Sequence, residues 1–204
     1  EIIKGAYRFT VKTPLSTVHN VEFCLPGKHN LSNALAAIAL AEQYGLSLNE
    51  ITDSLFSFKG VKRRFSYKIR TEEFVLIDDY AHHPTAINAV IDAVKEMYPD
   101  EKVLGVFQPH LFSRTNDFID DFGTSLSRFD ELLLLDIYPA RELPIAGVTS
   151  EWLLGKIDLK HKKIVNKVKV YEEIKNSDSK IVVMIGAGDI GVLIEEITEN
   201  LLKE

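Results

Sequence analysis

Cys24 is the only cysteine in the 204-residue chain, which rules out an internal disulfide and any cysteine-rich zinc site and suits a reducing, cytoplasmic setting. No apolar run approaches the ~18–20 residues that a membrane-spanning helix needs. Repeats and low-complexity tracts are missing, and so is a G-x-x-x-x-G-K-[ST] phosphate loop; Gly27-Lys28-His29 resembles only its tail. Basic excess is lacking too. The chain sets 24 Lys and Arg against 30 Asp and Glu, a net charge of −6, so a general nucleic-acid binder is not expected. The chain opens Glu1-Ile2-Ile3-Lys4 with no initiator methionine and no charged-then-apolar signal, and an upstream portion removed by processing or at a boundary is expected.

The composition that remains, 46% hydrophobic and 26% charged, excludes wholesale disorder and is enough for one or two domains. Residues 5–13 and 18–25 are β-rich and separated by Pro14, Leu15 and Ser16, which predicts a hairpin. Leu31, Ala34, Leu35, Ile38 and Ala41 recur at helical spacing up to about Gly45, and a second helix is expected from Leu48 to Phe58. From Lys59 to Arg70 there are six basic residues and no acidic one, the pattern of a solvated linker, and a domain boundary is expected near Gly60.

Beyond it, short apolar runs alternate with helical stripes. Phe74–Ile77, Val103–Phe107, Leu132–Leu135 and Ile181–Ile185 read as strands buried on both faces. Ile87, Val90, Ile91, Val94 and Met97 make one helical stripe; Phe118, Phe122, Leu126 and Phe129 make another; a last helix is expected from Ile190 to Leu202. The expected class is α/β with a mainly parallel sheet.

Polar residues gather after each strand: Asp78-Asp79-Tyr80-Ala81-His82-His83-Pro84, Gln108-Pro109-His110, Asp136-Ile137-Tyr138-Pro139 and Gly186-Ala187-Gly188-Asp189. In open parallel sheets ligands bind at the carboxyl ends of the strands, so four such loops predict one shared site. Each residue has a plainer use as well. One of Asp78 and Asp79 is expected to cap the helix near Pro84, leaving the other for a ligand hydroxyl or cation, with Thr85 and Ser113 as further cap residues. His82 and His83, being adjacent, point in different directions and make a poor ligand pair, although a zinc site with His110 and Asp79 stays open, and with it a metal-dependent hydrolase. Arg114 stands where it would bind an anion beside a helix N-terminus.

Gly186-Ala187-Gly188-Asp189-Ile190-Gly191 matches the G-x-G-x-x-G dinucleotide fingerprint, but only 13 residues follow Gly191, too few for the second strand and ribose-binding acid. A tight strand-to-helix turn whose backbone approaches a ligand is expected instead.

Taken in order, the motifs resemble the Mur ligases, ATP-dependent amide-forming enzymes of peptidoglycan synthesis. Gly27-Lys28-His29-Asn30-Leu31-Ser32-Asn33-Ala34-Leu35-Ala36-Ala37 is similar to the family's H-N-x-x-N-x-x-A-A segment, Val61-Lys62-Arg63-Arg64-Phe65 to its domain-junction arginine motif, and Asp79-Tyr80-Ala81-His82 to its D-Y-A-H motif. The resemblance covers almost the whole chain. It implies that residues 1–60 are the end of a central ATPase domain and 61–204 a complete Rossmann-like C-terminal domain. A UDP-binding domain, the phosphate loop and the magnesium ligands would lie upstream.

By the same resemblance, His29, Asn30 and Asn33 are nucleotide contacts, Arg64 reaches ATP phosphate and Asp79 hydrogen-bonds the ribose. Tyr80, His82, His110 and Arg114 would face the substrate carboxylate and the incoming amino acid, with Arg64, His82 and His110 as the catalytic set. The cofactor implied is ATP with Mg, and no protein metal ligand is expected here. His82-His83-Pro84-Thr85, Phe107-Gln108-Pro109-His110 and Asp136-Ile137-Tyr138-Pro139-Ala140-Arg141-Glu142 point to the branch that joins L-alanine to UDP-N-acetylmuramate. Leu111 stands where the family often has Arg, which leaves Arg114 as the anion clamp. Ala86 replaces a frequent Glu and is shared with the relative that recycles murein tripeptide, so that relative remains an alternative. A free-standing nucleotide-binding module is another, and the chain by itself is expected to be catalytically incompetent.

Overall fold

The structure, a computed structural model, describes residues 1–3 and 6–203. The chain forms two compact units: residues 1–61 with 92–99, and residues 62–91 with 100–204.

In the first unit β1 (Ile2–Ile3), β2 (Ala6–Lys12) and β3 (Thr17–Phe23) make an antiparallel sheet. The hairpin between β2 and β3 turns where Pro14-Leu15-Ser16 predicts it, because Thr13 Oγ1 accepts from the amides of Leu15 and Ser16. Helix α1 (Lys28–Gln43) begins three residues ahead of the first apolar stripe residue, directly after Gly27 at φ 96°. Helix α2 (Leu48–Ser57) opens on a capping box in which Ser47 and Glu50 satisfy each other's amides. Tyr7, Val21, Phe23, Ile38, Ile51 and Leu55 close a small core between sheet and helices.

The second unit is a six-stranded sheet in the order β4-β5-β9-β6-β7-β8. Its strands are β4 (Ser66–Arg70), β5 (Val75–Asp79), β6 (Val103–Phe107), β7 (Glu131–Leu134), β8 (Lys162–Ile164) and β9 (Ile181–Ile185). All pairings are parallel except β4 with β5. Helices α3 (Pro84–Met97), α4 (Phe112–Asp117), α5 (Ile119–Leu126), α6 (Ser150–Lys156), α7 (Val170–Lys175) and α8 (Ile190–Leu201) connect them. β5, β6 and β9 are buried along their whole length, as unbroken apolar runs require when helices cover both faces. This is the mainly parallel α/β class expected from the alternation of strands and helices.

Four local expectations change. The basic run from Lys59 to Arg70 is not all linker: its second half is β4, the antiparallel edge, where basic side chains suit an exposed margin. β8 is a three-residue edge strand, Lys-Lys-Ile, too short and too charged to read as a strand. The stripe from Phe118 to Phe129 is broken at Phe118, whose φ of −118° ends α4 before α5 begins, and Phe129 lies past the end of α5. Asp78 and Asp79 lie inside β5 rather than after it, and both are buried.

Candidate active site

Register decides where the polar loops meet. Asp79 on β5 and Phe107 on β6 both pair with Ile185 on β9, and Leu134 on β7 pairs with Phe107. Four parallel strands therefore end level, and Tyr80, Gly186, Gln108 and Leu135 open their loops at one edge of the sheet.

The carboxylates of β5 are tied to the protein's own groups. Asp79, 5% exposed, accepts from the amide of Phe65 through Oδ2 and from that of Ala81 through Oδ1, both at 2.7 Å. Burial raises its pKa, while those two amides and the charge of Arg64 pull it back down. Neither aspartate caps α3. The amide of Thr85 in its first turn is bound by His83 Nδ1, at 3.3 Å, and Thr85 itself is exposed. Asp78 receives Arg63 Nε at 3.3 Å and has no partner for Oδ2; burial raises its pKa against the pull of Arg63 and Lys68. Arg63 and Phe65 both have positive φ, 60° and 46°, so the chain kinks on either side of Arg64, which is exposed.

The histidines part company. His82 faces Tyr80 and His110, with ring centroids 5.3 and 6.1 Å away, whereas His83 packs edge-on against Phe118 at 4.5 Å. His82 Nδ1 lies 2.9 Å from the carbonyl of Tyr80. A carbonyl only accepts, so Nδ1 carries a proton, and it is Nε2 that holds the lone pair in the neutral ring. His110 shows the reverse tautomer. Its Nδ1 lies 3.2 Å from Arg114 Nη1, and a guanidinium only donates, so Nδ1 is the acceptor and Nε2 carries the proton. Burial lowers the pKa of His110, and the charge of Arg114 and the neighbouring His82 lower it further.

Tyr138, from one of the four loops expected to share a site but given no role of its own there, belongs to this cluster. Its ring stacks on His110 at 5.7 Å, and its backbone bonds Pro109 and Leu111 on either side of that histidine. Leu111 has φ 75°, an uncommon conformation for a residue with a β-carbon, and this pairing holds it there. Glu142 fastens the same two loops by accepting from the amide of Ser113 at 2.9 Å and from its hydroxyl. Those bonds lower the pKa of Glu142. Ser113 thus serves a loop latch, and the first turn of α4, expected to help Arg114 hold an anion, already holds a carboxylate.

The Gly186–Gly191 turn is where expectation and structure differ most. Protein side chains, not open space, lie against its glycines. A β-carbon on Gly186 would stand 2.9 Å from the Gln108 carbonyl, one on Gly188 2.4 Å from Gln108 Oε1 and 2.7 Å from the Tyr138 ring, and one on Gly191 2.6 Å from Arg63 Nη1. Gln108, 1% exposed, accepts from the amide of Ile190 at 3.0 Å and donates to Asp189 at 2.7 Å. Lys167 closes the other side with 2.6 Å bonds to both oxygens of Asp189. Burial would raise the pKa of Asp189, but the bonds from Lys167 and Gln108 outweigh it and the net shift is downward. The turn is tight, as expected, but its backbone meets the protein's own residues.

In the first unit, His29, Asn30 and Asn33 lie at the start of α1. Asn30 and Asn33 are three apart and so share a face, with Asn30 Nδ2 donating to the Pro26 carbonyl at 2.6 Å and His29 and Asn33 exposed. Among the described residues no three His, Cys, Asp or Glu side chains stand together as metal ligands, and no helix is long and apolar enough to cross a membrane.

A level row of parallel strand ends bearing a histidine–tyrosine–arginine cluster defines a Rossmann-like α/β domain with a polar site at its carboxyl edge. Residues 63–194 match the family described as Mur ligase, glutamate ligase domain, and the chain belongs to the Mur ligases. It is 58% identical over its whole length to the UDP-N-acetylmuramate–L-alanine ligase of Christiangramia forsetii and 59% identical over 98% of its length to that of Flavobacterium psychrophilum. It spans 45% of the length of each relative. Among solved structures, UDP-N-acetylmuramate–alanine ligase from Thermotoga maritima superposes with a TM-score of 0.74 at 28% identity, covering 92% of this chain and 42% of that one. A murein peptide ligase from Psychrobacter arcticus, 22% identical with a TM-score of 0.60, shares the fold, covering 91% of this chain and 39% of its own.

Proposed function

We propose that the chain is the part of a UDP-N-acetylmuramate–L-alanine ligase that receives the amino acid, comprising the end of the ATP-binding central domain in residues 1–60 and the C-terminal domain in 61–204. The observation that carries this reading is the cluster of Tyr80, His82, His110, Arg114 and Tyr138 at one sheet edge. Such a set can hold a carboxylate and accept a proton from an amine. The identity of 58% to a named L-alanine ligase along the full chain favours that branch over the tripeptide-recycling one.

In the proposed reaction the muramoyl carboxylate attacks the γ-phosphorus of ATP, giving an acyl phosphate and ADP. The L-alanine nitrogen then attacks the acyl carbon, and the C–O bond to phosphate breaks. ATP supplies the phosphoryl group, and Mg²⁺ would be held outside these residues, since among the described ones no three His, Cys, Asp or Glu side chains stand together as ligands. Arg64, exposed on its kink, reaches phosphate, and Arg114 clamps the carboxylate. The tautomers divide the histidine work: His82 Nε2, with its lone pair, takes the amine proton, while His110 Nε2–H donates to an oxygen. Asp79 is buried, and each of its oxygens has a second lone pair for a ribose hydroxyl beside the amide it accepts. His29, Asn30 and Asn33 would meet the nucleotide from α1. Use of ATP suits a cytoplasmic enzyme.

The test is phosphate release by the full-length enzyme with ATP, UDP-N-acetylmuramate and either L-alanine or murein tripeptide. L-alanine is expected to drive turnover. Turnover with the tripeptide alone would transfer the chain to the other branch. His82→Asn is expected to lower kcat by about 10²–10⁴-fold, as loss of a general base does, with a smaller effect from His110→Asn.

A further inference from the structure

The Arg63 side chain ties together two strand-end segments of the site, those of β5 and β9, and none of the roles proposed above uses it. Its Nε meets Asp78 on β5 at 3.3 Å, its Nη2 donates to the Gly186 carbonyl after β9 at 2.5 Å, and its guanidinium lies 5.0 Å over the Tyr80 ring. Its own carbonyl accepts from the Tyr80 amide at 2.8 Å. The guanidinium fits because position 191 has no β-carbon; one there would stand 2.6 Å from Nη1 and 2.7 Å from Cζ. Gly191 lies in the first turn of α8, where alanine is the better helix former, so the glycine answers to this contact rather than to the helix. A buried carboxylate beneath the arginine adds a reason for it to stay in place: without Arg63, Asp78 would be left 1% exposed without its hydrogen-bonded cation, and only the charge of Lys68 would remain to offset burial.

We propose that Arg63, seated on Gly191 and tied to Asp78, is a positioning residue that sets the direction of Arg64 and the plane of Tyr80. The inference deepens the ligase reading and rests on it for its kinetic consequence. The physical chain is short. Arg63 at φ 60° is the first half of the kink that turns Arg64 outward, and the Asp79 bond to the Phe65 amide holds the second half. A guanidinium pinned at three points fixes the backbone of its own residue, and the next residue, Arg64, inherits that direction. A long exposed arginine that must meet a phosphate gains from a stem already oriented, because misplacement by about 1 Å can cost a hundredfold in rate.

The test compares Arg63→Lys, Gly191→Ala and Arg64→Ala, singly and paired, in the full-length ligase. Lysine keeps the charge but cannot bridge Asp78 and Gly186 together. Gly191→Ala keeps Arg63 but displaces its guanidinium, and alanine in α8 spares the helix. Both are expected to lower kcat/KM for ATP about ten- to a hundredfold with the melting temperature of Gly191→Ala not reduced. In the Arg64→Ala background each is expected to cost less than threefold further, because a residue acting through Arg64 has nothing left to orient. Effects within twofold of wild type, or full additivity with Arg64→Ala, would overturn the proposal. If the wild-type enzyme releases no phosphate, the ligase reading fails, and the seat of Arg63 is then judged on the 204-residue chain by NMR. Slow exchange of the Arg63 Nε proton and a shift of the Tyr80 ring signals in Gly191→Ala uphold it; an Nε proton exchanging as fast as that of Arg64 overturns it.

Discussion

His110 shows how one side chain is tuned by what surrounds it. Burial, the Arg114 charge and His82 all push its pKa below the ordinary 6.5. An NMR titration is expected to place its midpoint below 6.5, and Arg114→Gln is expected to move the midpoint upward by removing one of those causes. The sign for stability follows. Between the folded value and 6.5 the unfolded chain binds the extra proton, so stability falls as pH drops through that window and is unaffected above it. Asp79 has a different burden, two buried amides that have no other acceptor in the hydrogen bonds it makes. Asp79→Ala is expected to destabilise the chain by about 1–3 kcal/mol for each amide left unsatisfied, read by denaturant unfolding. The Asp79-Tyr80-Ala81-His82 motif is legible in the sequence, but this load on its first residue is not. Phe65 lies 14 positions away and meets Asp79 only through the pairing of β4 with β5.

At the scale of elements, glycines mark where two backbones or a backbone and a ring come close. Gly123 on α5 faces the Lys156 carbonyl at the end of α6, where a β-carbon would come within 2.6 Å. Backbone cannot rotate away as a guanidinium can. Gly123→Ala is therefore expected to destabilise by about 1–3 kcal/mol despite its gain in helix propensity, whereas Gly191→Ala is not, and thermal unfolding of the two variants checks the contrast. Element identity was well encoded where apolar runs were long. β6 and β9 have the bounds their runs predict, and the last helix starts at Ile190 as its stripe does. β4 and β8 were missed because an edge strand needs only one buried face, and in Ser66–Arg70 and Lys162–Ile164 charge masks it. The break at Phe118 was missed because its apolar spacing continues across it.

For the whole molecule the decisive fact is length relative to kin: 45% of the relatives it matches. The 204 residues contain no G-x-x-x-x-G-K-[ST], so the backbone cradle that phosphates need is not among them. The chain alone is expected to release no phosphate from ATP under conditions where the full-length ligase does, and to bind ATP at least tenfold more weakly by calorimetry. Turnover by the chain alone would show that its own strand-end loops suffice.

The sequence by itself determined the class of fold, the family and which polar loops follow the strands, because apolar periodicity and short ordered motifs are local and survive reading in one dimension. The tertiary structure alone decided what those loops do to one another. It gave His82 and His110 opposite tautomers, filled the glycine turn with Gln108, Tyr138 and Arg63, and set apart two adjacent arginines, one bound to Asp78 and one exposed. Each of those outcomes depends on the level ends of four parallel strands, and strand register is settled only when the sheet assembles.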